Sequence, residues 1–278
     1  MPVNARRFIR KMRGGAQSHL IEGEDGRFYI VKFQNNPQHR RILVNELIAA
    51  ESLAHLQIAS PEYQIVRVSD DFLQANRDVY IQAGTRRVAV EPGWHFGSRH
   101  PGNPELMATY DFIPDALLHQ VANAEQFRAV LVFDRWLANA DGRQCVFFRA
   151  QLKDWLAHPG APPRKMGFVA LMIDHGFVFN GPHWELPDSA ITGLYPRRSV
   201  YADVKSLDDF GPWLHRVLHF PPEILDRALK KIPPEWTEGE DGALDRVLEA
   251  LLKRRKRIAE LMEECRKAPG NPFPRWTG

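Results

Sequence analysis

Cysteine is nearly absent from this sequence of 278 residues: only Cys145 and Cys265 occur, and no C-x-x-C pair. That excludes a disulfide framework and a cysteine-rich zinc site, and it fits a reducing compartment. No run of about 18 apolar residues occurs, so no helix is expected to cross a membrane. The N-terminal MPVNARRFIRKMRGG is basic but lacks the apolar core of a signal peptide, so a cytoplasmic location is expected. Neither charge sign dominates. Lys plus Arg is 37 against 34 for Asp plus Glu, a net charge of +3 that neither demands nor excludes a nucleic-acid partner. There is no repeat of fixed period and no low-complexity tract.

What is present is an ordinary globular composition, 44% hydrophobic and 26% charged, long enough for two domains or one two-lobed body. Residues 27–33, RFYIVKF, predict a strand by β-branched and aromatic enrichment. Asp25-Gly26 makes the turn before it, and a hairpin partner lies near Ser18-His19-Leu20-Ile21. Residues 38–57 follow the helical period through Ile42, Leu43, Leu47, Leu53 and Leu56, with Pro37 near the first turn. Strands are expected at 63–68, 79–82 and 87–90. The apolar part of the Gly/Pro-rich EPGWHFGSRHPGNPE then reads as the end of the sheet lobe and the crossing to a second lobe. A helix over 123–138 opens on Asn123 with Gln126 three residues on, the pattern of a capping box. Short strands at 145–148 and 168–173 flank a polar insertion, 149–167. Helical patterns follow at 205–219, 222–231 and 240–267. The expected architecture is α+β: a small β-rich lobe over 1–110 and a larger helical lobe over 111–278 holding a hairpin at 139–176, with the crevice between them a place for a ligand.

Four features line up along the chain. Gly14-Gly15, ahead of Ser18, would let backbone N–H groups approach a phosphate, although an ordinary turn has the same composition. Lys32 sits inside the apolar strand IVKF. It either guards an edge strand or meets an anion. Glu46, 14 residues later in the first helix, is either solvated or paired with that lysine. Finally, Asn139-Ala-Asp141-Gly-Arg-Gln144 precedes one strand of the 139–176 hairpin, and Asp174-His175-Gly176 ends the other. A hairpin brings its end back to its beginning, so the two carboxylates can meet. Such a pair suits metal-assisted phosphoryl transfer, one aspartate orienting a hydroxyl and the other holding Mg²⁺.

Taken in order, IVKF, Asn45-Glu46, N-x-D-G-R-Q at 139–144 and I-D-H-G at 173–176 resemble the two-lobed protein-kinase-like fold, and within it the HipA-like kinases. The stretch FQNNPQHRRILVNELIAAESLAHL favours that branch. The resemblance implies ATP and Mg²⁺ as cofactors. It places Gly14, Gly15 and Ser18 over the phosphates and Lys32 on them, braced by Glu46. Asp141 becomes the catalytic aspartate and Asp174 the metal-holding one. It sets the adenine hinge between Trp94 and Phe112, at His95-Phe96-Gly97 or at Tyr110-Asp111-Phe112. It also implies a protein Ser/Thr acceptor, with an aminoglycoside-type small-molecule kinase or a nucleotide-binding pseudokinase as the alternatives. There are two departures. Kinases of this fold place a metal-binding Asn five residues after the catalytic Asp, where this chain has Val146; Gln144 and Asn139 are the candidate substitutes. Lys32 also stands too early for the N-terminal module of HipA toxins to precede it.

The remaining constellations read as structure. The histidines are scattered, and the His215/His219 pair lacks an HExxH companion. The run Lys253–Arg257 reads as a solvated helical face, which makes nucleic acid an unlikely partner. The tail with Phe273 and Trp276 either frays or docks.

Overall fold

The computed structural model describes residues 2–155 and 165–277. Strands β1 (Val3–Lys11) and β2 (His19–Gly23) form a hairpin around the glycine turn, and β3 (Phe28–Lys32) returns beside β2. Gly26 turns that corner at φ +72°, a conformation open to glycine because it has no Cβ. Next come helix α1 (Arg41–Leu56), strand β4 (Tyr63–Val68), helix α2 (Asp70–Ala75), the hairpin β5 (Tyr80–Ala83) and β6 (Arg86–Ala89), and β7 (Gly93–Arg99). The order β1-β2-β3-β7-β4 closes into a barrel through parallel pairing of Val3 with Val66.

Two local expectations change. The apolar part of the stretch from Glu91 onward, read as the end of the sheet lobe, is a full strand inside the barrel, β7, paired with β3 on one side and β4 on the other. The basic N-terminus is a strand beneath its charges. Val3, Ala5 and Phe8 pack against the barrel interior, and Arg6 and Arg7 reach out to Glu22. Helix α1 also starts later than its apolar period predicts. Pro37 lies in a preceding turn, which Asn36 builds by accepting from Gln38 N–H and donating to the Phe33 carbonyl.

The second half holds β8 (Thr109–Tyr110), α3 (Asp115–Leu118), α4 (Gln126–Leu137), β9 (Gln144–Gln151) and β10 (Met166–Ile173), with the three strands in the order β10-β9-β8. Both hairpin strands outrun their apolar cores. The expected insertion therefore shrinks to 152–165, of which 156–164 lies outside the described residues. The capping box at α4 is absent. Asn123 instead clamps Ala170 of β10 through both ends of its amide, and the Gln126 carbonyl accepts from Ala59 N–H.

Helices α5 (Gly211–Leu218), α6 (Glu223–Leu229), α7 (Pro234–Thr237), α8 (Asp241–Arg254) and α9 (Ile258–Arg266) complete the fold. The basic run is a solvated face only in part: Lys253, Lys256 and Arg257 are exposed, whereas Arg254 and Arg255 turn inward. The helix tightens there into a 3₁₀ turn. Arg254 is buried, 2.5 Å from Asp188, Arg255 reaches the Phe220 carbonyl, and Arg257 bonds Asp188 and Glu260. The tail docks, with Phe273 and Trp276 buried against Phe210.

One apolar cluster runs from Leu43 and Leu47 of α1 through Phe133 and Trp136 of α4 to Leu251 and Leu261. Helix α1 thus shares its core with the helical half. Each such fully buried side chain contributes roughly 1.5–3 kcal/mol.

The barrel interior holds a second cluster around Val31, Phe33 and Val66, with His19 and His95 standing edge-on to Phe33 from its two sides. In each histidine Nε2 reaches no partner. Burial lowers His19 to about 4 and His95 to about 3. Folded values below the unfolded 6.5 mean that the unfolded chain binds more protons below that pH. Stability is therefore complete above about pH 7 and falls by about 1.4 kcal/mol per unit for each histidine as pH drops from 6.5 toward the folded values. Thermal melts at pH 7.5 and pH 5 should show this loss. His95→Met should shrink the difference while costing some stability at pH 7.5, because Gln34 N–H loses its acceptor.

Candidate active site

The centre of the site is a buried ammonium. Lys32 ends β3, facing into the protein between apolar neighbours. Its Nζ donates to Glu46 Oε1 and, at 2.7 Å, to Asp174 Oδ1. Lysine and glutamate are almost fully buried, whereas the Asp174 side chain is 31% exposed. Burial opposes the charge on Lys32, but the two carboxylates more than offset it, so its pKa is raised. Burial likewise raises Glu46, against the pull of Lys32. At Asp174 burial acts upward, yet Lys32, His175 and Arg143 bring the carboxyl below its ordinary value. Asp174 is the member that stays ionised and open to solvent. Its second oxygen has no protein partner among the described residues.

Three elements distant in sequence make this contact, and each is held by more than the ion pairs. Glu46 Oε1 also accepts from His175 N–H at 3.1 Å. One turn earlier on the same face of α1, Ile42 touches Gly176 so closely that a Cβ there would lie 2.4 Å from Ile42 Cγ2. Asp174 itself has φ +59°, a left-handed turn that aspartate tolerates better than most side chains.

Behind the site lies a second buried pair. Arg143 donates in bidentate fashion to Asp134 on α4, at 2.7 and 2.5 Å, and a further nitrogen donates to the Ile173 carbonyl and meets His175 Nδ1. Asn139 belongs to this network. Its amide donates to Asp134 at 2.9 Å and accepts from Asp141 N–H, so both ends are engaged and the residue is buried. Asp141 is half-buried at the surface, accepting from Gly142 N–H and from Gln144 Nε2 at 3.1 Å. Gln144 pairs with Ile173 in the β9–β10 ladder, which puts Asp141, Gln144 and Asp174 at one end of the hairpin. Val146 packs against the apolar cluster of Phe148 and Leu152 and offers no ligand.

The segment after Asp174 is pinned from α1. Asn45 Nδ2 donates to the carbonyls of Gly176, Val178 and Gly181 at 2.7–3.0 Å, and its oxygen accepts from Trp184 Nε1. The outer face of that segment, with Phe177, Asn180 and His183, lines a cavity of about 430 Å³ together with Asp141 and Gln38. Gly15 reaches the same cavity rim, since a Cβ there would lie 2.8 Å from Gln38 Nε2. Met12 N–H bonds the Ser18 carbonyl across the base of the turn, and Ser18 is buried. Of the two hinge candidates, His95-Phe96-Gly97 is mid-strand in β7, with His95 inside the barrel. Tyr110-Asp111-Phe112 is exposed on the connector between β8 and α3.

Residues 6–146, from β1 to the start of β9, match the profile of the HipA-like kinase family. The chain belongs to that family. The matched span includes Lys32, Glu46 and Asp141 and ends before Asp174. Among solved structures, this HipA-like kinase is similar to a Golgi casein kinase with Mn/ADP bound, at 10% identity and a TM-score of 0.47, covering 97% of this chain and 74% of that one. A second Golgi casein kinase structure matches at 12% identity and the same TM-score, covering 97% of this chain and 72% of the other. No curated protein matches.

Asp134, Arg143 and Asn45 were not singled out from the sequence as site residues. The signals were there: an aspartate inside the apolar VLVFDRWL and an arginine two residues after Asp141. Breaking a buried pair leaves an uncompensated charge. Asp134→Asn should therefore lower stability by about 3–5 kcal/mol, read as a shifted urea midpoint at unchanged slope.

Proposed function

We propose that this kinase-family chain is an ATP- and Mg²⁺-dependent phosphotransferase whose acceptor is a Ser or Thr hydroxyl of a protein. The observation that supports it most is the placement of Lys32 between Glu46 and the partly exposed Asp174, at the hairpin end that also carries Asp141. The donor chemistry fits the cofactor. Asp174, with one free carboxylate oxygen, and the Gln144 amide oxygen are hard ligands of the kind Mg²⁺ takes. Lys32 is a point charge for phosphate oxygens, and the Gly14-Gly15 turn ahead of Ser18 offers backbone N–H groups. Mg-ATP, when bound, supplies the transferable phosphoryl group.

The remaining work falls to the protein. Lys32 binds phosphate while Glu46 keeps its ammonium fixed. Asp141, facing the cavity, orients the acceptor hydroxyl and takes its proton late in the transfer. Asn139 is a brace for the Asp141 turn rather than a metal ligand, because both ends of its amide are already bonded. A cytoplasmic location is part of this reading, in keeping with two free cysteines. Among the described residues no helix is long and apolar enough to cross a membrane.

Val146 supports the second reading, a pseudokinase that binds nucleotide without turnover, since it removes the usual second metal ligand. Incubation with γ-labelled ATP, Mg²⁺ and a mixed protein acceptor decides between them. Asp141→Asn should lower transfer by at least about 100-fold while keeping the thermal shift with Mg-ATP. Lys32→Met should lose both. Full transfer by Asp141→Asn would remove the catalytic assignment. A wild-type chain that shifts with Mg-ATP yet labels nothing, itself included, would establish the pseudokinase.

A further inference from the structure

The hairpin β5–β6 stands outside the barrel and forms a two-stranded sheet of its own. The segments around it carry four cations: Lys11 at the end of β1, Arg13 at the start of the glycine turn, and Arg86 and Arg87 on opposite faces of β6. Lys11 Nζ and the Arg87 guanidinium both lie over the ring of Tyr80 on β5. Among the described residues none of the four has a carboxylate partner, although Arg6 and Arg7 on the same β1 pair with Glu22. Every residue of β6 is exposed, and β6 pairs only with β5, so its outer edge is open.

This hairpin is stapled to the glycine turn. Gln17 Nε2 donates to the Gln82 carbonyl at 2.8 Å, and Gln17 Oε1 accepts from Gln82 N–H at 2.6 Å. The side-chain amide thus stands in for a strand residue, and Gln17 adopts φ +47° in the turn. The turn thus lies on the free edge of β5, and β6 forms the opposite, outer edge of the same small sheet.

We propose that this surface docks an acidic segment of a partner protein, extended along the open edge of β6 with alternate carboxylates on Arg86 from one face and on Arg87, beside Lys11, from the other. Main-chain bonds to an open strand edge supply affinity, and the cations select the sequence. The surroundings favour a peptide over a nucleic acid. Asp70 and Asp71 of α2, which packs against β1, and Asp78 before β5 are all exposed at the border. A duplex carries a charge about every 1.7 Å and would bring phosphates onto those carboxylates. A peptide can set its acids against the cations alone. Docking of this kind needs no phosphoryl transfer, so a catalytically silent chain would still show it.

The test is fluorescence anisotropy with the full chain and a labelled deca-glutamate peptide at low ionic strength. Wild type should bind, and added salt should weaken the binding. Arg86→Glu with Arg87→Glu should weaken it by at least about tenfold. That variant should melt as wild type does, because both side chains are exposed and Arg87 rests only on the Tyr80 ring. Lys256→Glu, an exposed cation between α8 and α9, should change nothing. No binding by wild type, or equal binding by the Arg86/Arg87 variant, would overturn the proposal. So would a DNA duplex that binds more tightly than the peptide and is lost with the same substitutions.

Discussion

The structure is organised around the burial of one ammonium group. An ion such as Lys32 Nζ, taken out of water without partners, costs several kcal/mol and would rather lose its proton. It stays charged because Glu46 comes from α1 and Asp174 from the end of β10. That requirement joins the barrel, helix α1 and the β9–β10 hairpin. None of the three can shift without leaving a buried charge unpaired. The partial exposure of Asp174 is the asymmetry that matters. Glu46 is almost fully buried with both of its bonds on Oε1, whereas Asp174 is partly open to solvent.

The same logic repeats one layer down. The Asp141 carboxylate takes only local bonds, from Gly142 N–H and Gln144 Nε2. Its turn is anchored by Asn139, held on Asp134, and Asp134 is neutralised by Arg143. Arg143 also grips the Ile173 carbonyl, immediately before Asp174. The two aspartates at the hairpin end are therefore referenced to one guanidinium. A planar fork with several donors can do this where a lysine could not.

Much of this was legible in the residues. The hairpin into Lys32, the helix bearing Glu46 and the paired strands that bring Asp141 toward Asp174 follow from period and turn chemistry. What was not legible depended on partners far along the chain. Strand β7 hides within Gly- and Pro-rich surroundings because its glycines serve close packing; a Cβ at Gly97 would lie 2.6 Å from Val66. Strand β1 hides under its arginines because irregularities between Ala5 and Arg7 and between Phe8 and Arg10 break the period of two, so strict alternation does not group Val3, Ala5 and Phe8 on one face. Asn123 and Gln126 have the spacing of a cap, but tertiary acceptors and donors on β10 and at Ala59 outcompete the helix end for their amides. The arginines at 254–257 look solvated until Asp188, distant in sequence, is placed beside them.

Adjacent residues on α1 face adjacent walls of the site. Successive residues on a helix are about 100° apart, so Asn45 and Glu46 address different neighbours from one rigid frame. Glu46 holds Lys32 and His175 N–H, the side assigned to the phosphates. Asn45 holds three carbonyls of the segment whose other face, with Asn180 and His183, lines the cavity at Asp141. A rotation of α1 that withdrew Glu46 from Lys32 would also pull Asn45 from all three carbonyls. The helix core, shared with α4 and the C-terminal helices, resists such a rotation. The two walls are consequently set together, because two neighbouring side chains on one packed helix cannot be repositioned separately.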